Sequence, residues 1–181
     1  MMSMPERTLS SRRAFSGHLL ALRLDEVELE SGRRAVREVV EHPGAVAILA
    51  YDGQRLAMVR QWRQAAADEL LEIPAGTREP GEAPLATAQR ELAEESGLEA
   101  AHWEEGPGFY TAPGFCTELL TLFLATDLHP VEAEPPDDEA LDRSWLSLSD
   151  AVAAIDAGTI RDAKSLVGIL WLARRQAEPE G

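Results

Sequence analysis

Apolar and polar residues alternate in part of the N-terminal region, a pattern typical of strands with one buried face. The stretch AFSGHLLALRLDEVEL has its apolar positions at Leu20, Leu22, Leu24, Val27 and Leu29. AVAILAYDGQRLAMVRQWR follows, with two apolar runs around the turn signal Asp52-Gly53, and predicts a hairpin. Four shorter segments predict further strands: ELLEIPA, GFYTA, LLTLFLA and RSWLSL.

A helical pattern is predicted over residues 83 to 96. Pro84 suits a first turn, Gly97 suits the position just past the end, and one face carries Leu85, Ala88 and Leu92. IPAGTREPGE is then the loop that leads into this helix.

Two more helices are predicted near the end of the chain. Ser149 can cap DAVAAIDA, and Thr159 with Asp162 resembles a capping box that opens IRDAKSLVGILWLARR. The last helix has an apolar stripe that suits the core or a subunit contact: Leu166, Ile169, Leu170 and Ala173.

The order of these elements favours a mixed α+β sandwich over a doubly wound parallel sheet, because helices interrupt the strands without alternating regularly with them. A length of 181 residues suits one domain. We expect residues 1 to 12 to be flexible, with order beginning near Phe15. Residues 13 to 175 then form the domain, and residues 176 to 181 a flexible tail.

Composition narrows the class of protein. With 45% hydrophobic and 27% charged residues, the chain is typical of a globular protein and has no apolar stretch long enough for a membrane span. A formal net charge of -15 disfavours a nucleic-acid partner, although bound divalent cations would permit a small anionic substrate. The start of the chain lacks the apolar core of a secretory signal, and Cys116 is the one cysteine. We therefore expect a cytoplasmic protein.

Three glutamates lie at helical spacing in the predicted helix: Glu91, Glu94 and Glu95. Their i, i+3 and i+4 positions project the carboxylates along one side, which costs about a few tenths of a kcal/mol per pair in an isolated helix. A hard cation such as Mg²⁺ or Mn²⁺ would compensate, because it prefers oxygen ligands. The alternative is a solvated acidic face with local ion pairs to Arg90.

The spacing around these glutamates decides between the two interpretations. Gly76, five residues, Glu82, seven residues and then RELAEESGL make a complete match to the Nudix box. The chain thus resembles the Nudix hydrolases. The resemblance implies a mixed β-sheet sandwiched between helices, here with an N-terminal antiparallel β subregion, and Mg²⁺-dependent hydrolysis of a nucleoside diphosphate linked to another group.

The resemblance also implies roles for single residues. Glu91, Glu94 and Glu95 would bind the metal, together with the carbonyl oxygen of Ala75. Glu82 would assist the metal site, and Arg90 would orient the carboxylates. The physical need is clear, since cleaving a pyrophosphate requires cations that neutralise its oxygens and orient water.

The segments on either side of the box resemble the ADP-ribose pyrophosphatase branch of the family. They are RQWRQAAADELLEIPAG, YTAPGFCTELLTLFLA and REVVEHPGAVAILA, and Pro113 stands 15 residues beyond Leu98, where that branch has a marker proline. The branch converts ADP-ribose to AMP and ribose 5-phosphate. By this resemblance Arg63 would contact the substrate phosphates or ribose, and Glu118 the terminal ribose region.

Each of these flanking residues has an ordinary structural alternative. Trp62 suits a core or interface position as well as a surface that stacks on adenine. Arg63 could form a surface ion pair, although its guanidinium matches phosphate oxygens. Pro113 could be a turn residue, and Glu118 a charge at a strand edge.

The general base of the resembled branch is a glutamate in an acidic loop before the last strands. PPDDEALDRSW resembles that loop, and Glu139 aligns best, with Asp138 and Asp137 as alternatives. The branch also implies a homodimer that uses the N-terminal strands in residues 13 to 43. Other functions left open are hydrolysis of a GDP-sugar, a dinucleoside polyphosphate or a nucleoside triphosphate, and nucleotide-sugar binding without catalysis.

Overall fold

The computed structural model describes residues 6–133 and 141–177 and divides the chain into two compact units. The first consists of the residues up to Gly44 together with Tyr110–Leu119, and the second contains Ala45–Phe109 and the residues from Leu120 onward. This division is finer than the single domain predicted over residues 13 to 175.

The first unit contains a three-stranded antiparallel sheet in the order β1-β2-β3. Its strands are β1 (Glu6–Ser16), β2 (Ala21–Leu29) and β3 (Arg34–Glu41). The segment Tyr110–Leu119 joins this unit through a bridge between Val40 and Cys116.

The prediction that order begins near Phe15 is wrong, because β1 begins at Glu6. This strand is exposed along most of its length, so it has no apolar alternation that the sequence could reveal. Polar contacts to β2 accompany its backbone pairing instead. Arg7 pairs with Glu28 at 2.8 Å, and the Ser11 hydroxyl donates to Asp25 at 2.6 Å.

The remaining elements belong to the second unit, except that the last residue of β8 and the first residue of β9 fall within Tyr110–Leu119 of the first unit. In chain order they are β4 (Ala45–Ala50), β5 (Arg55–Arg63), β6 (Asp68–Glu72), β7 (Ala75–Thr77), α1 (Pro84–Ser96), β8 (Leu98–Tyr110), β9 (Leu119–Pro130), β10 (Asp142–Ser147), α2 (Leu148–Asp156) and α3 (Ala163–Ala177). The strands form a four-stranded sheet, β7-β4-β9-β8, and a three-stranded sheet, β10-β5-β6.

The four-stranded sheet is mixed, since β4 pairs parallel with β9 and antiparallel with β7. All six residues of β4 are buried. On one face of this strand Val46 and Ile48 share an apolar cluster with Leu92 of α1, and on the other Leu49 shares a cluster with Ile169 of α3. The predicted fold, a mixed sheet between helices with an N-terminal antiparallel region, is confirmed.

The predicted hairpin of β4 and β5 is wrong in its pairing. The turn is present, with the Asp52 N–H donating to the Arg55 carbonyl at 3.0 Å, but the two strands belong to different sheets. Within the described residues, an isolated antiparallel bridge joins Tyr51, just after β4, to Leu56 of β5. An apolar run predicts a buried central strand but does not determine which strands lie beside it. In the structure β4 pairs with β7 and β9, which come later in the chain.

Both C-terminal helices are present, but their starts differ from the prediction. The α2 cap is Ser147, whose hydroxyl accepts from the Asp150 N–H at 3.1 Å; Ser149 lies inside the helix. The third helix begins at Ala163, and the Asp162 carboxylate accepts from the Ser165 N–H at 3.1 Å. In the part of the chain that the structure describes, no helix has the length and apolar character needed to cross a membrane.

Candidate active site

The inward face of α1 carries carboxylates as well as apolar groups. Its buried residues are Thr87, Ala88, Glu91, Leu92 and Glu95. Leu85, predicted on the apolar face, is 40% exposed, whereas Glu91 is 8% and Glu95 only 2% exposed. Two of the three clustered glutamates are therefore turned into the protein, which disagrees with a solvated acidic face.

Gly76 provides the space for one of these carboxylates. A Cβ atom at this position would lie 1.9 Å from the carboxyl carbon of Glu91, where no real Cβ atom could fit. The glycine of the box therefore allows the Glu91 side chain to pack directly against the backbone of β7.

The Glu95 carboxylate contacts β7 at Ala75, the residue before Gly76. Its Oε2 accepts the Ala75 backbone N–H at 2.8 Å, a hydrogen bond that holds a buried carboxylate beside the chain. The acidic face of α1 and the backbone of Ala75 and Gly76 thus lie against each other.

Arg90 connects four residues of the site. Its guanidinium lies 2.8 Å from Glu91, 3.0 Å from Glu94 and 3.2 Å from Glu82. A weaker hydrogen bond of 3.4 Å reaches the Thr77 carbonyl. Burial works against the charge of Arg90, but its carboxylate partners outweigh burial and raise its pKa above the usual range.

Glu82 is held in the ionised form. The Arg90 guanidinium is the main cause that lowers its pKa to about 2, and further donors are the Glu79 N–H at 3.1 Å and the Thr87 hydroxyl at 2.8 Å. Burial opposes this shift without cancelling it. Glu82 therefore binds Arg90 through Nε and Nη2, whereas Glu91 and Glu94 lie at Nη1, and Glu82 stays charged over the whole neutral range.

The donor set suits a hard divalent cation in its chemistry. The carboxylates of Glu91, Glu94 and Glu95 on α1 and the backbone carbonyl of Ala75 on the adjacent strand are oxygen donors, and buried carboxylates need compensating positive charge. Within residues 6–133 and 141–177, however, no three acidic, histidine or cysteine side chains stand converged on one point. Arg90 and the Ala75 N–H hold the carboxylates in the described arrangement, so binding a cation would require these side chains to turn.

Arg63 and Trp62 lie at the end of β5. Arg63 makes a forked ion pair with Glu72, 2.6 Å at its shortest, and Lys164 binds the same carboxylate at 2.5 Å. Burial is the largest influence on Glu72 and would raise its pKa, but these two cations together lower it. Trp62 is 56% exposed and is no core residue; its indole N–H donates to Gln64 at 2.9 Å.

Glu72 and Lys164 are the residues that the sequence analysis missed. Glu72 is buried in β6, and Lys164 is the single lysine of the chain. A rare residue type placed two positions after Asp162, with which it also pairs at 2.9 Å, was the available signal.

Pro113 and Glu118 belong to the first compact unit. Pro113 is exposed, and the Glu118 carboxylate accepts from the Thr111 hydroxyl at 2.5 Å, with His42 at 3.7 Å. Glu139 lies outside the described residues, as do Asp137 and Asp138, so the assignment of the general base stays a prediction.

Fold, box and buried acidic face together define the class. The chain belongs to the Nudix hydrolase family, whose NUDIX domain matches residues 41–167. Residues 6–40 match a second family, the nucleoside diphosphate sugar hydrolase N-terminal domain. The resemblance seen in the sequence is confirmed.

Several relatives are similar to this chain over nearly its whole length. An ADP-ribose pyrophosphatase of Bacillus subtilis is 39% identical over 98% of this chain and 97% of its own length. One from Mycobacterium tuberculosis is also 39% identical, over 90% of this chain and 81% of its own. The methanol dehydrogenase activator of Bacillus methanolicus is 38% identical over 95% of each chain. A crystal structure of an ADP compounds hydrolase matches the fold with a TM-score of 0.85 at 22% identity, covering 97% of this chain and 96% of its own.

Proposed function

We propose that this protein hydrolyses the pyrophosphate bond of ADP-ribose, or of a closely related nucleoside diphosphate sugar, to AMP and ribose 5-phosphate. The observation that carries the proposal is the inward-turned acidic face of α1 against the backbone of Ala75 and Gly76. The two relatives named ADP-ribose pyrophosphatase support the choice of substrate.

Mg²⁺ is the proposed cofactor, with Mn²⁺ as a substitute, because both prefer carboxylate and carbonyl oxygens. The groups that would hold it are the carboxylates of Glu91, Glu94 and Glu95 and the carbonyl of Ala75. When bound, the cation would neutralise pyrophosphate oxygens and lower the pKa of water.

The chain's own residues orient these groups. Arg90 sets the direction of the carboxylates on α1, and Glu82 in turn restrains Arg90 through an ion pair of 3.2 Å. Glu139 is proposed as the general base that takes a proton from the attacking water, with Asp138 or Asp137 as the alternatives. Replacing Glu139 by Gln would then lower turnover strongly and leave folding intact.

Four further residues are proposed to bind the substrate. Arg63 would contact phosphate or ribose oxygens while Glu72 fixes the plane of its guanidinium. The exposed ring of Trp62 would stack on the base. Glu118, oriented by Thr111, would bind the terminal ribose region beside Pro113.

The decisive experiment is product analysis on a panel of ADP-ribose, GDP-mannose, diadenosine polyphosphates, NADH and nucleoside triphosphates, with Mg²⁺ and with chelator. We expect AMP and ribose 5-phosphate from ADP-ribose, with activity lost on chelation and in Glu95→Gln. Glu99→Gln, an exposed glutamate just beyond α1, is the matched control and should keep full activity. Faster cleavage of another compound would overturn the substrate assignment but not the metal site.

A second candidate is a nucleotide-sugar-binding protein that regulates another enzyme. It is supported by the relative named methanol dehydrogenase activator, which aligns along 95% of this chain. A chain that binds ADP-ribose in calorimetry but cuts no compound on the panel would favour this candidate.

We further propose a cytoplasmic homodimer formed through the N-terminal strands, with no nucleic-acid or membrane partner. Exposed apolar side chains in the first unit support the dimer: Phe15, Leu19, Leu20 and Val36. The net charge of -15 supports the absence of a nucleic-acid partner.

A further inference from the structure

The C-terminal end of α1 needs partners for its last carbonyl groups. The last four carbonyl groups of a helix accept no hydrogen bond from an N–H of the same helix. Gly97 ends α1 in the left-handed conformation, at φ 65° and ψ 35°, and its N–H donates to the Ala93 carbonyl at 2.9 Å. The last turn contains no basic residue of its own. Two of the carbonyls left over belong to Glu94 and Glu95, the residues that carry the clustered carboxylates.

Arg143 of β10 provides these partners. Its Nε donates to the Glu95 carbonyl at 2.7 Å, and its Nη2 donates to the Glu94 carbonyl at 3.0 Å. Donors that carry a charge make stronger hydrogen bonds than neutral ones, and a cation at this end also opposes the helix dipole. One guanidinium thus holds the backbone of two successive metal-ligand candidates.

Packing around Gly97 places this guanidinium close to the helix terminus. A Cβ atom at Gly97 would lie 3.0 Å from Nη1 of Arg143, so any other residue here would press on the guanidinium. The Gly97 carbonyl accepts the Val131 N–H at 2.9 Å, which ties the same turn to the residue just after β9. The end of α1 is therefore fixed by β10 and by the end of β9 together.

We propose that Arg143 is a positioning residue for the metal site: by holding the last turn of α1, it sets the backbone from which the Glu94 and Glu95 carboxylates reach the cation. This inference rests on the proposed function, because it assigns the residue a role in metal binding. The contacts of Arg143 are to the backbone carbonyls of Glu94 and Glu95, whereas the partners of the two carboxylates include Arg90 for Glu94 and the Ala75 N–H for Glu95.

Three variants of the full chain test the proposal. Arg143→Met keeps the aliphatic stem and removes both hydrogen bonds, and Arg143→Lys keeps the charge without the fork. Arg161→Met is the matched control, since Arg161 makes an exposed ion pair with Asp68 away from α1. Amide hydrogen exchange is measured on the metal-free proteins, and Mn²⁺ binding is measured by calorimetry at a temperature where all variants are folded.

We expect exchange at the amides of residues 94 to 98 to be about tenfold faster in Arg143→Met than in the wild type. Mn²⁺ affinity should fall by roughly five- to tenfold, with an intermediate loss in Arg143→Lys. The Mg²⁺ concentration for half-maximal hydrolysis should rise by a similar factor, whereas kcat at saturating Mg²⁺ should stay within about twofold, because no reacting group is removed. Arg161→Met should match the wild type in every measurement.

Several results would overturn the proposal. Wild-type Mn²⁺ affinity in Arg143→Met, with or without a lower thermal midpoint, would reduce Arg143 to a helix cap without influence on the metal site. Unchanged exchange at residues 94 to 98 would remove even that role. If Arg143→Met fails to fold, Arg143→Lys is judged in its place by its Mn²⁺ affinity and its amide exchange at residues 94 to 98. If the wild-type chain cuts nothing on the substrate panel but still binds Mn²⁺, the proposed function fails while the Arg143 proposal is judged by metal affinity alone.

Discussion

At the scale of single residues, the box is explained by space and charge. Gly76 is required because the Glu91 carboxyl group occupies the volume that a side chain at position 76 would fill. Arg90 is required because its guanidinium lies within 3.2 Å of three carboxylates, those of Glu82, Glu91 and Glu94, and balances their charge. A residue type is therefore fixed at each of these positions by its neighbour in the site.

Replacing Gly76 by Ala should damage both stability and activity. The added methyl group must push the Glu91 carboxylate from its place, which should cost about 1–3 kcal/mol of unfolding free energy. Displacing a metal-ligand candidate by about 1 Å should lower turnover by about 100-fold. Urea unfolding and ADP-ribose hydrolysis measure the two effects.

Gly114→Ala is the control for the stability measurement, because its Cβ would meet no atom within 4 Å and its backbone has no left-handed strain. A Gly76→Ala protein with the stability and turnover of the wild type would show that the Glu91 side chain can adopt another conformation at no cost.

Glu82 makes stability depend on pH in acid. Its pKa of about 2 in the folded protein is below the ordinary value, so the unfolded chain takes up a proton first as the pH falls. Its contribution is therefore fully present above about pH 4.5 and is lost as the pH falls through about 2. Glu82→Gln should be less stable than the wild type by about 1–3 kcal/mol at pH 7.

The test is the difference in unfolding free energy between the two proteins as a function of pH. That difference should shrink between about pH 4.5 and pH 2, while other acidic groups affect both proteins alike. A difference that stayed constant over this range would mean that the Glu82 carboxylate is not stabilised in its charged form.

At the scale of elements, α2 shows how one cap residue fixes a helix start. The Ser147 hydroxyl accepts from the Asp150 N–H, whereas Ser149 lies two residues after the cap, inside the first turn. Ser147→Ala should cost about 1 kcal/mol of unfolding free energy. Ser149→Ala removes a hydroxyl 3.0 Å from that of Ser147 but keeps the bond from the Asp150 N–H, so it should stay within about 0.5 kcal/mol of the wild type and is the matched control. Equal effects of the two substitutions in chemical denaturation would argue against the cap at Ser147.

Sequence patterns predicted which segments form strands and helices better than they predicted pairing. Gly97 and Pro84 mark the ends of α1 within a residue, because caps act locally. The partners of β4 could not be predicted, since a buried strand between two neighbours has the same apolar pattern whichever segments flank it. β1 escaped detection because its contacts are polar ones to β2, without an apolar face.

The candidate site follows the same rule: its local motif was predicted from the sequence, but its long-range contacts were not. The box identified the acidic residues by spacing, but no local pattern links Glu72 to Lys164 or Arg143 to the end of α1, because these contacts join segments far apart in the chain. The sequence also placed Leu85 on the buried face, where the structure instead turns Glu91 and Glu95 inward.

At the scale of the whole molecule, the two compact units follow the two matched families in large part, although the segment Tyr110–Leu119 of the first unit lies within the NUDIX match. Residues 6–40, matched by the N-terminal domain of nucleoside diphosphate sugar hydrolases, contain β1 and β2 and most of β3. The NUDIX match over residues 41–167 contains the box and both sheets of the second unit. The N-terminal sheet is thus a family feature in its own right, and two of the exposed apolar side chains that support the proposed dimer, Phe15 and Val36, lie on its strands.

The proposed dimer predicts that a charge on this sheet separates the subunits. Val36 is 63% exposed in β3, and a small sheet that leaves such residues uncovered suits a contact between two copies of the chain. Val36→Glu would bury a carboxylate in that contact, which is unfavourable without a partner cation. Light scattering at micromolar concentration should therefore give a dimer for the wild type and a monomer for Val36→Glu.

Leu170→Glu is the matched control, because Leu170 is 48% exposed on α3, in the second unit. It should remain a dimer if the contact uses the N-terminal sheet. A monomeric wild type would contradict the dimer itself. Dissociation by Leu170→Glu, with Val36→Glu still dimeric, would move the contact to the apolar stripe of α3, the other subunit surface that the sequence pattern left open.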